Sequence, residues 1–330
     1  ETNPLYRLET VDLQDTRQRF LGSVNLTWAP ISWFELEGNF SLDQSSFFEA
    51  NYTPEGLLSD QSGVGLGSIS RNQNHSNDMN ASFTASINRT FGDLTTRTKI
   101  RYLYEDQASQ SFSASGSDFT VIGVPRIDNT DSSTRNASSS IVNVVSEGAF
   151  FITSFDYKGK YVGDVLVRRD GSSLFGPDER WQTYYRASGA WRLAQEDWWS
   201  IDAIDEFKIR YSIGTAGGRP NFSAQYETFS VGNGSIRPTA LGNRFLKPEL
   251  STEQEVGLEM VLFGKVATGL TYAWSRIEDQ LLNIPLPGFV GFSSQWQNAG
   301  TLESSTVEAY IETSLVDRPD LGWATRVNFD

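Results

Sequence analysis

The segment WFELEGNFSL, residues 33–42, puts Phe34, Leu36, Gly38, Phe40 and Leu42 at every second position, with Glu35, Glu37, Asn39 and Ser41 between them. A period of two describes a β-strand with one dry and one wet face. The chain has no run of about 18 uncharged apolar residues, so a membrane-spanning helix is excluded. The dry face must therefore meet either the core of a soluble β-protein or the hydrocarbon of a bilayer.

The same alternation predicts about twelve strands, near 17–28, 33–42, 79–91, 94–105, 139–157, 161–169, 183–193, 206–214, 251–263, 266–277, 297–313 and 322–330. The connections between them alternate in length. Short links (29–32, 92–93, 158–160, 264–265, with 194–205 and 314–321 of moderate length) take turns with long ones at 43–78, 107–138, 170–182, 215–250 and 278–296. An outer-membrane barrel has short periplasmic turns and long extracellular loops by construction, whereas a Greek-key sandwich has no reason to collect its long loops at one end.

The faces point the same way. Val256, Leu258, Met260 and Leu262 alternate with Glu255, Gly257 and Glu259, and Phe207, Ile209, Tyr211 and Ile213 alternate with Lys208, Arg210 and Ser212. Polar partners charged in both signs suit a hydrated lumen, so Glu35, Glu37, Lys208, Arg210, Glu255, Glu259 and Glu308 are expected to line it. Trp28, Tyr157, Tyr161, Trp191 and Trp274 recur near strand ends, where an interfacial girdle lies. An open sheet would leave two bare edges in hydrocarbon. The predicted fold is thus all-β, an antiparallel transmembrane β-barrel present in part, with residues 1–330 forming one piece of a larger barrel domain.

Composition excludes other classes. A formal charge of −14 without a basic patch is wrong for nucleic acid. No cysteine means no disulfide, thiolate metal site or thiol nucleophile. The opening ETNPLYRLET has no basic stretch followed by an apolar core, so no secretion signal is read there.

Candidate chemistry is thin. The pairs Glu35/Glu37, Glu255/Glu259 and Glu308/Glu312 could suggest a glycosidase, yet residues two or four apart on a strand simply share a face. His75, the only histidine, falls in a stretch read as a polar loop and leaves no basis for a Ser-His-Asp triad or a histidine metal site. Asp128-Asn129-Thr130-Asp131 lacks the spacing and terminal Glu of a calcium loop, and Gly63-Val64-Gly65-Leu66-Gly67 lacks the spacing and following helix of a phosphate loop. No catalytic, metal or cofactor site is expected. The remaining candidates are aromatics in the long loops: Phe47, Phe48, Tyr52, Tyr226, Phe229, Phe289, Phe292 and Trp296. At a barrel mouth they could hold a sugar or peptide, and equally they could pack the loops together.

Lys160-Tyr161, followed by Arg168-Arg169-Asp170-Gly171-Ser172-Ser173 and Phe175, resembles the corresponding stretch of SusC/RagA-like TonB-dependent outer-membrane transporters. The resemblance continues in family order through Trp191-Arg192 with Glu196, Phe207-Lys208-Ile209-Arg210 with Gly214, Leu246-Lys247-Pro248-Glu249 with Glu253 and Gly257, and Asn298-Ala299-Gly300. It implies a barrel of about 22 strands in the bacterial outer membrane. The family's N-terminal plug, its TonB box and its final strand are expected to lie outside this chain. The implied function is TonB-dependent import of a glycan or peptide, powered by the TonB–ExbB–ExbD complex through the plug and lidded by a SusD-like lipoprotein. A siderophore-type receptor without a lid remains an alternative, since Leu246-Lys247-Pro248-Glu249 also resembles that group. So does a secreted polysaccharide-binding β-protein, which requires Phe34, Leu36, Leu258 and Met260 to pack into a protein core.

Overall fold

The computed structural model describes residues 8–56, 58–59, 63–232 and 235–330. Of the opening stretch read above for an export signal, residues 1–7 lie outside the described part. In chain order the strands are β1 (Asp12–Ile31), β2 (Phe34–Thr53), β3 (Leu58–Ser59), β4 (Gly63–Val64), β5 (Ser68–Phe91), β6 (Leu94–Ser117), β7 (Asn136–Tyr157), β8 (Tyr161–Ser172), β9 (Trp181–Arg192) and β10 (Ile204–Gly218). They continue as β11 (Phe229–Gly232), β12 (Ser235–Pro238), β13 (Ala240–Leu241), β14 (Glu249–Leu262), β15 (Val266–Glu278), β16 (Leu281–Pro285), β17 (Ser294–Asn298), β18 (Leu302–Arg318) and β19 (Leu321–Phe329).

Twelve of these form one antiparallel sheet in the order β1-β2-β5-β6-β7-β8-β9-β10-β14-β15-β18-β19. Each of the twelve corresponds to a strand expected from alternation. Every neighbour in the sheet is also the next of the twelve along the chain, so the connections are simple hairpins. The short connections close with left-handed residues: Lys158 and Gly159 have φ of 58° and 67°, and Phe263 and Gly264 have 53° and 62°. Paired positive φ values are what a tight hairpin needs to match strand twist.

The boundaries are where sequence and structure differ. β2 runs to Thr53 instead of ending near 42, β5 begins at Ser68 instead of 79, and β6 reaches Ser117 instead of 105. Phe47, Phe48 and Tyr52 therefore lie on β2, not in a long loop, and His75 lies on β5. Phe229 and Trp296 also sit in short strands, β11 and β17, that were read as loop. The strand expected over 297–313 is interrupted: Gln297 and Asn298 close β17, and the long strand starts at Leu302.

The chain forms two compact units. The first takes in the residues up to Asn25 with Asn39–Ala81 and Glu105–Val145; the second takes in Leu26–Gly38, Ser82–Tyr104 and Ser146–Asp330. In the first unit one sheet face is knitted by polar side chains. Arg19 Nη2 lies 2.5 Å from Asp43, the Ser45 and Ser76 hydroxyls are 2.7 Å apart, and Ser113 donates to Asn72 at 2.7 Å. The loop 118–135 packs on the opposite face, with the Phe119 ring 5.7 Å from Tyr52 and Thr130 so close over Gly116 that a Cβ there would collide. Asn129 holds that loop by accepting from Val121 N at 3.0 Å and donating to the Val121 and Val124 carbonyls.

In the second unit the two faces separate by chemistry. Across β10, β14, β15 and β18 one row reads Ile209, Leu258, Leu270, Ala309 and the next on that face Tyr211, Val256, Tyr272, Val307. This face is covered by no protein: Leu270 is 48% and Ile311 56% exposed. Phe34, Leu36, Leu258 and Met260 are likewise not buried. Among the described residues no protein core takes in this face, and a large bare apolar face is what a bilayer covers.

Candidate functional site

The rows on the other face of the same strands read Lys208, Glu259, Gly269, Tyr310, then Arg210, Gly257, Thr271, Glu308. Alternation alone brings the expected polar residues together here. Lys208 Nζ lies 2.5 Å from Glu259, Arg210 bridges Glu255 and Glu259, and its Nη2 donates to Thr271 at 2.8 Å. Glu308 stands opposite Thr271 in the register. Glycine makes room for this network: the Arg210 side chain lies over Gly257, and the Tyr310 ring lies over Gly269. Glu35 and Glu37, on β2, are exposed and alternate with Phe34 and Leu36 as expected. Glu255 and Glu259 are both taken up by Arg210, and Glu259 also by Lys208. Among the described residues no group of three or more acidic or histidine side chains could hold a metal ion.

At the end of the sheet where the long connections lie, the polar face of β8, β9 and β10 opens into a cavity of about 310 Å³. Arg168, Arg180, Arg186 and Arg219 border it, with Asp170 and Tyr184. Arg168 pairs with Asp170 and stacks on Phe150, its guanidinium carbon 4.5 Å from the ring centroid. Arg186 donates to Asp164 at 2.9 Å, and Arg219 donates to the Ser146 hydroxyl at 3.1 Å.

The loops beside the cavity have their own small core. Leu246 is fully buried, Phe175 and Ala224 are nearly so, and Gln225 donates to the Ser173 carbonyl at 2.8 Å. Gly176 lies against the Arg244 backbone, too close for any Cβ. Asn298 clamps the arrangement: its Oδ1 accepts from Lys247 N at 2.8 Å, while its Nδ2 donates to the carbonyls of Lys247 and Asp279. Glu249 accepts from Leu281 N at 2.6 Å.

At the opposite, short-turn end, Glu196 accepts from Lys160 at 3.3 Å and from the Trp191 indole at 2.8 Å. The Tyr161 hydroxyl, then Trp191 and Lys160, hold the Glu196 carboxyl below its usual range. Asp197 and Glu196 hold the Lys160 ammonium above its own. The Tyr161 and Trp191 rings stack 6.1 Å apart, extending through Trp198 and Trp199 to Phe207.

The predicted loop aromatics have separate local partners. Phe47 takes the Arg17 guanidinium at 5.4 Å, on the face that carries Asp43 and Ser45, whereas Phe48 and Tyr52 alternate onto the other face. Tyr52 is spent against Phe119. Phe229 and Phe292 do meet, edge to face at 5.9 Å, and Tyr226 packs on Phe222. Trp296 is half-buried in β17, and Phe289 stands free at 91% exposure. The arginine-rich cavity was missed by sequence reasoning. Its one available signal was Arg168-Arg169-Asp170, which spacing alone could not connect to Arg180 and Arg219.

Comparison with known proteins matches residues 2–330 to the family model described as TonB dependent receptor-like, beta-barrel. The TonB-dependent receptor P26 of Formosa agariphila is 26% identical over 98% of this chain and 34% of its own length. The TonB-dependent receptor SusC of Bacteroides thetaiotaomicron is 26% identical over 53% of this chain and 19% of its own. Among solved structures, the RagAB peptide importer in its closed-closed state superposes with a TM-score of 0.87 at 16% identity, over 98% of this chain and 37% of that one. The chain spans about a third of the length of the curated relatives that it matches along nearly its whole extent.

Proposed function

Because this chain belongs to the TonB dependent receptor-like β-barrel family and is SusC/RagA-like, we propose that the whole protein imports a nutrient, a glycan or peptide, across the bacterial outer membrane. The observation that carries this reading is the separation of chemistry across one sheet. Leu258, Leu270 and Tyr272 lie on one face, and Lys208, Arg210, Glu255 and Glu259 form a network on the other. An apolar exterior with a charged interior is the pattern of a barrel wall that meets lipid outside and water inside.

In this reading the twelve strands belong to one barrel domain, and Glu35, Glu37 and Glu308 face the lumen with the network. A plug elsewhere in the protein couples it to the TonB–ExbB–ExbD complex, and a SusD-like lipoprotein closes the mouth. The family is one of transporters and receptors, and in this reading the chain makes or breaks no bond. The siderophore alternative is less well supported, because the family-ordered motifs and the SusC relative both favour the nutrient importers.

The test is uptake by cells expressing the full-length protein, with and without an intact TonB gene, alongside membrane fractionation and a heat-modifiability gel. We expect a heat-shifted outer-membrane band and uptake of at least one oligomeric nutrient that disappears without TonB. Uptake indifferent to TonB, or uptake restricted to iron chelates, overturns the reading.

A further inference from the structure

We propose that the cavity bordered by Arg168, Arg180 and Arg219 is a subsite for the acid group of an anionic oligosaccharide, one bearing carboxylates or sulfates. The inference rests on the import reading and adds a substrate class to it. In a chain of net charge −14, four guanidiniums converge on about 310 Å³ with one carboxylate, Asp170, in the lining. Asp170 is used by Arg168, and Arg186 is satisfied from outside the cavity by Asp164. Among the described residues Arg219 donates to the Ser146 hydroxyl, and neither it nor Arg180 makes an ion pair. At least two positive charges thus border the cavity with no ion-pair partner among the described residues. Guanidinium forks bind planar or tetrahedral oxyanions through paired, charge-assisted hydrogen bonds. A concave wall of one sign also raises the local concentration of the opposite charge.

The rest of the lining favours a sugar over a peptide. Tyr184, Gln182, Ser172 and Thr215 supply hydroxyl and amide groups that can both donate and accept, which suits the hydroxyls beside an acid group on a sugar ring. An ammonium group is disfavoured by the surrounding arginines.

The test is a glycan array probed with the purified full-length protein, carrying uronate-bearing, sulfated and neutral oligosaccharides, with acidic peptides as a separate panel. Binding confined to the acidic glycans is expected, weakened at least tenfold in an R180Q/R219Q double variant that keeps the heat-shifted band. Equal binding of neutral glycans, binding of acidic peptides alone, absence of binding to any acidic glycan, or an unchanged double variant overturns the proposal. A parallel uptake assay separates the two readings. TonB-dependent entry of neutral cargo alone defeats only this inference, whereas no TonB-dependent entry of any cargo defeats the importer reading as well.

Discussion

β5 and β6 each contribute one stretch to the first compact unit and one to the second, and the two kinds of stretch differ sharply in sequence. In the second unit, Ser82–Phe91 shows Phe83, Ile87 and Phe91 on one face, and Leu94–Tyr104 shows Ile100, Tyr102 and Tyr104. In the first, Ser68–Ala81 reads SISRNQNHSNDMNA and Glu105–Ser117 reads EDQASQSFSASGS, polar on nearly every position. Both kinds form equally regular strands. Backbone pairing joins both into one sheet, and what differs is the side-chain chemistry of the faces. An apolar band is needed only where a face meets hydrocarbon.

The most severe test of that contrast places a charge on each kind of face. Leu270→Arg, in the second unit, should destabilise by about 2–4 kcal/mol, read as loss of the heat-shifted band after refolding into detergent or lipid. Phe112→Arg, on an exposed position of the first unit, should change stability by no more than about 0.5 kcal/mol. Equal costs would show that both units meet the same medium. A smaller effect is expected from packing within the second unit. Gly269→Leu forces a side chain into the Tyr310 ring and should cost about 1–3 kcal/mol, whereas Gly189→Ala adds a methyl to open space and should be neutral. Denaturant titration of both variants decides this.

Arg210→Ala tests the charged network. Because its partners are about one-third exposed, we expect a loss of only about 1 kcal/mol, shrinking as salt is raised. A loss independent of salt would mean packing over Gly257, not charge, is what the arginine supplies. The smallest effect concerns the short-turn cluster. The Glu196 carboxyl is held below its usual range by Tyr161, Trp191 and Lys160, so the ionised form is favoured by folding. Its contribution is fully present above the ordinary carboxylate range and is lost as pH falls through the lowered folded value. Indole fluorescence of the Trp191–Trp198–Trp199 group should therefore change on acidification in the parent protein and show a weaker acid transition in E196Q.

The contrast between units also explains what could be read from sequence. All twelve strands of the main sheet were legible wherever one face is greasy, because alternation is visible only against polar residues. Where both faces are polar, as in Asn72–Asn80 or Gln107–Ser111, a strand and a loop have the same composition, so alternation makes the long loops longer than they are. Lys208, Arg210, Glu255 and Glu259 were legible as a shared face because strand geometry fixes their side. The arginine cavity was not, since Arg168, Arg180 and Arg219 come from three elements and meet only through a register and a folded loop. The family-like residues Lys160, Glu196, Lys247 and Asn298 were visible as a pattern, while their work as clamps on backbone and turn required coordinates.

The buried residues in the connecting segments, Phe175 and Leu246 above all, also limit how fast anything can happen at this end of the protein. Exposing both to water would cost about 3–6 kcal/mol, leaving on the order of one molecule in a hundred, or fewer, peeled open at any instant. A carrier that had to wait for that rare state in every cycle would turn over slowly. The burial of Phe175 and Leu246 thus fits these segments to hold one shape at this end of the sheet.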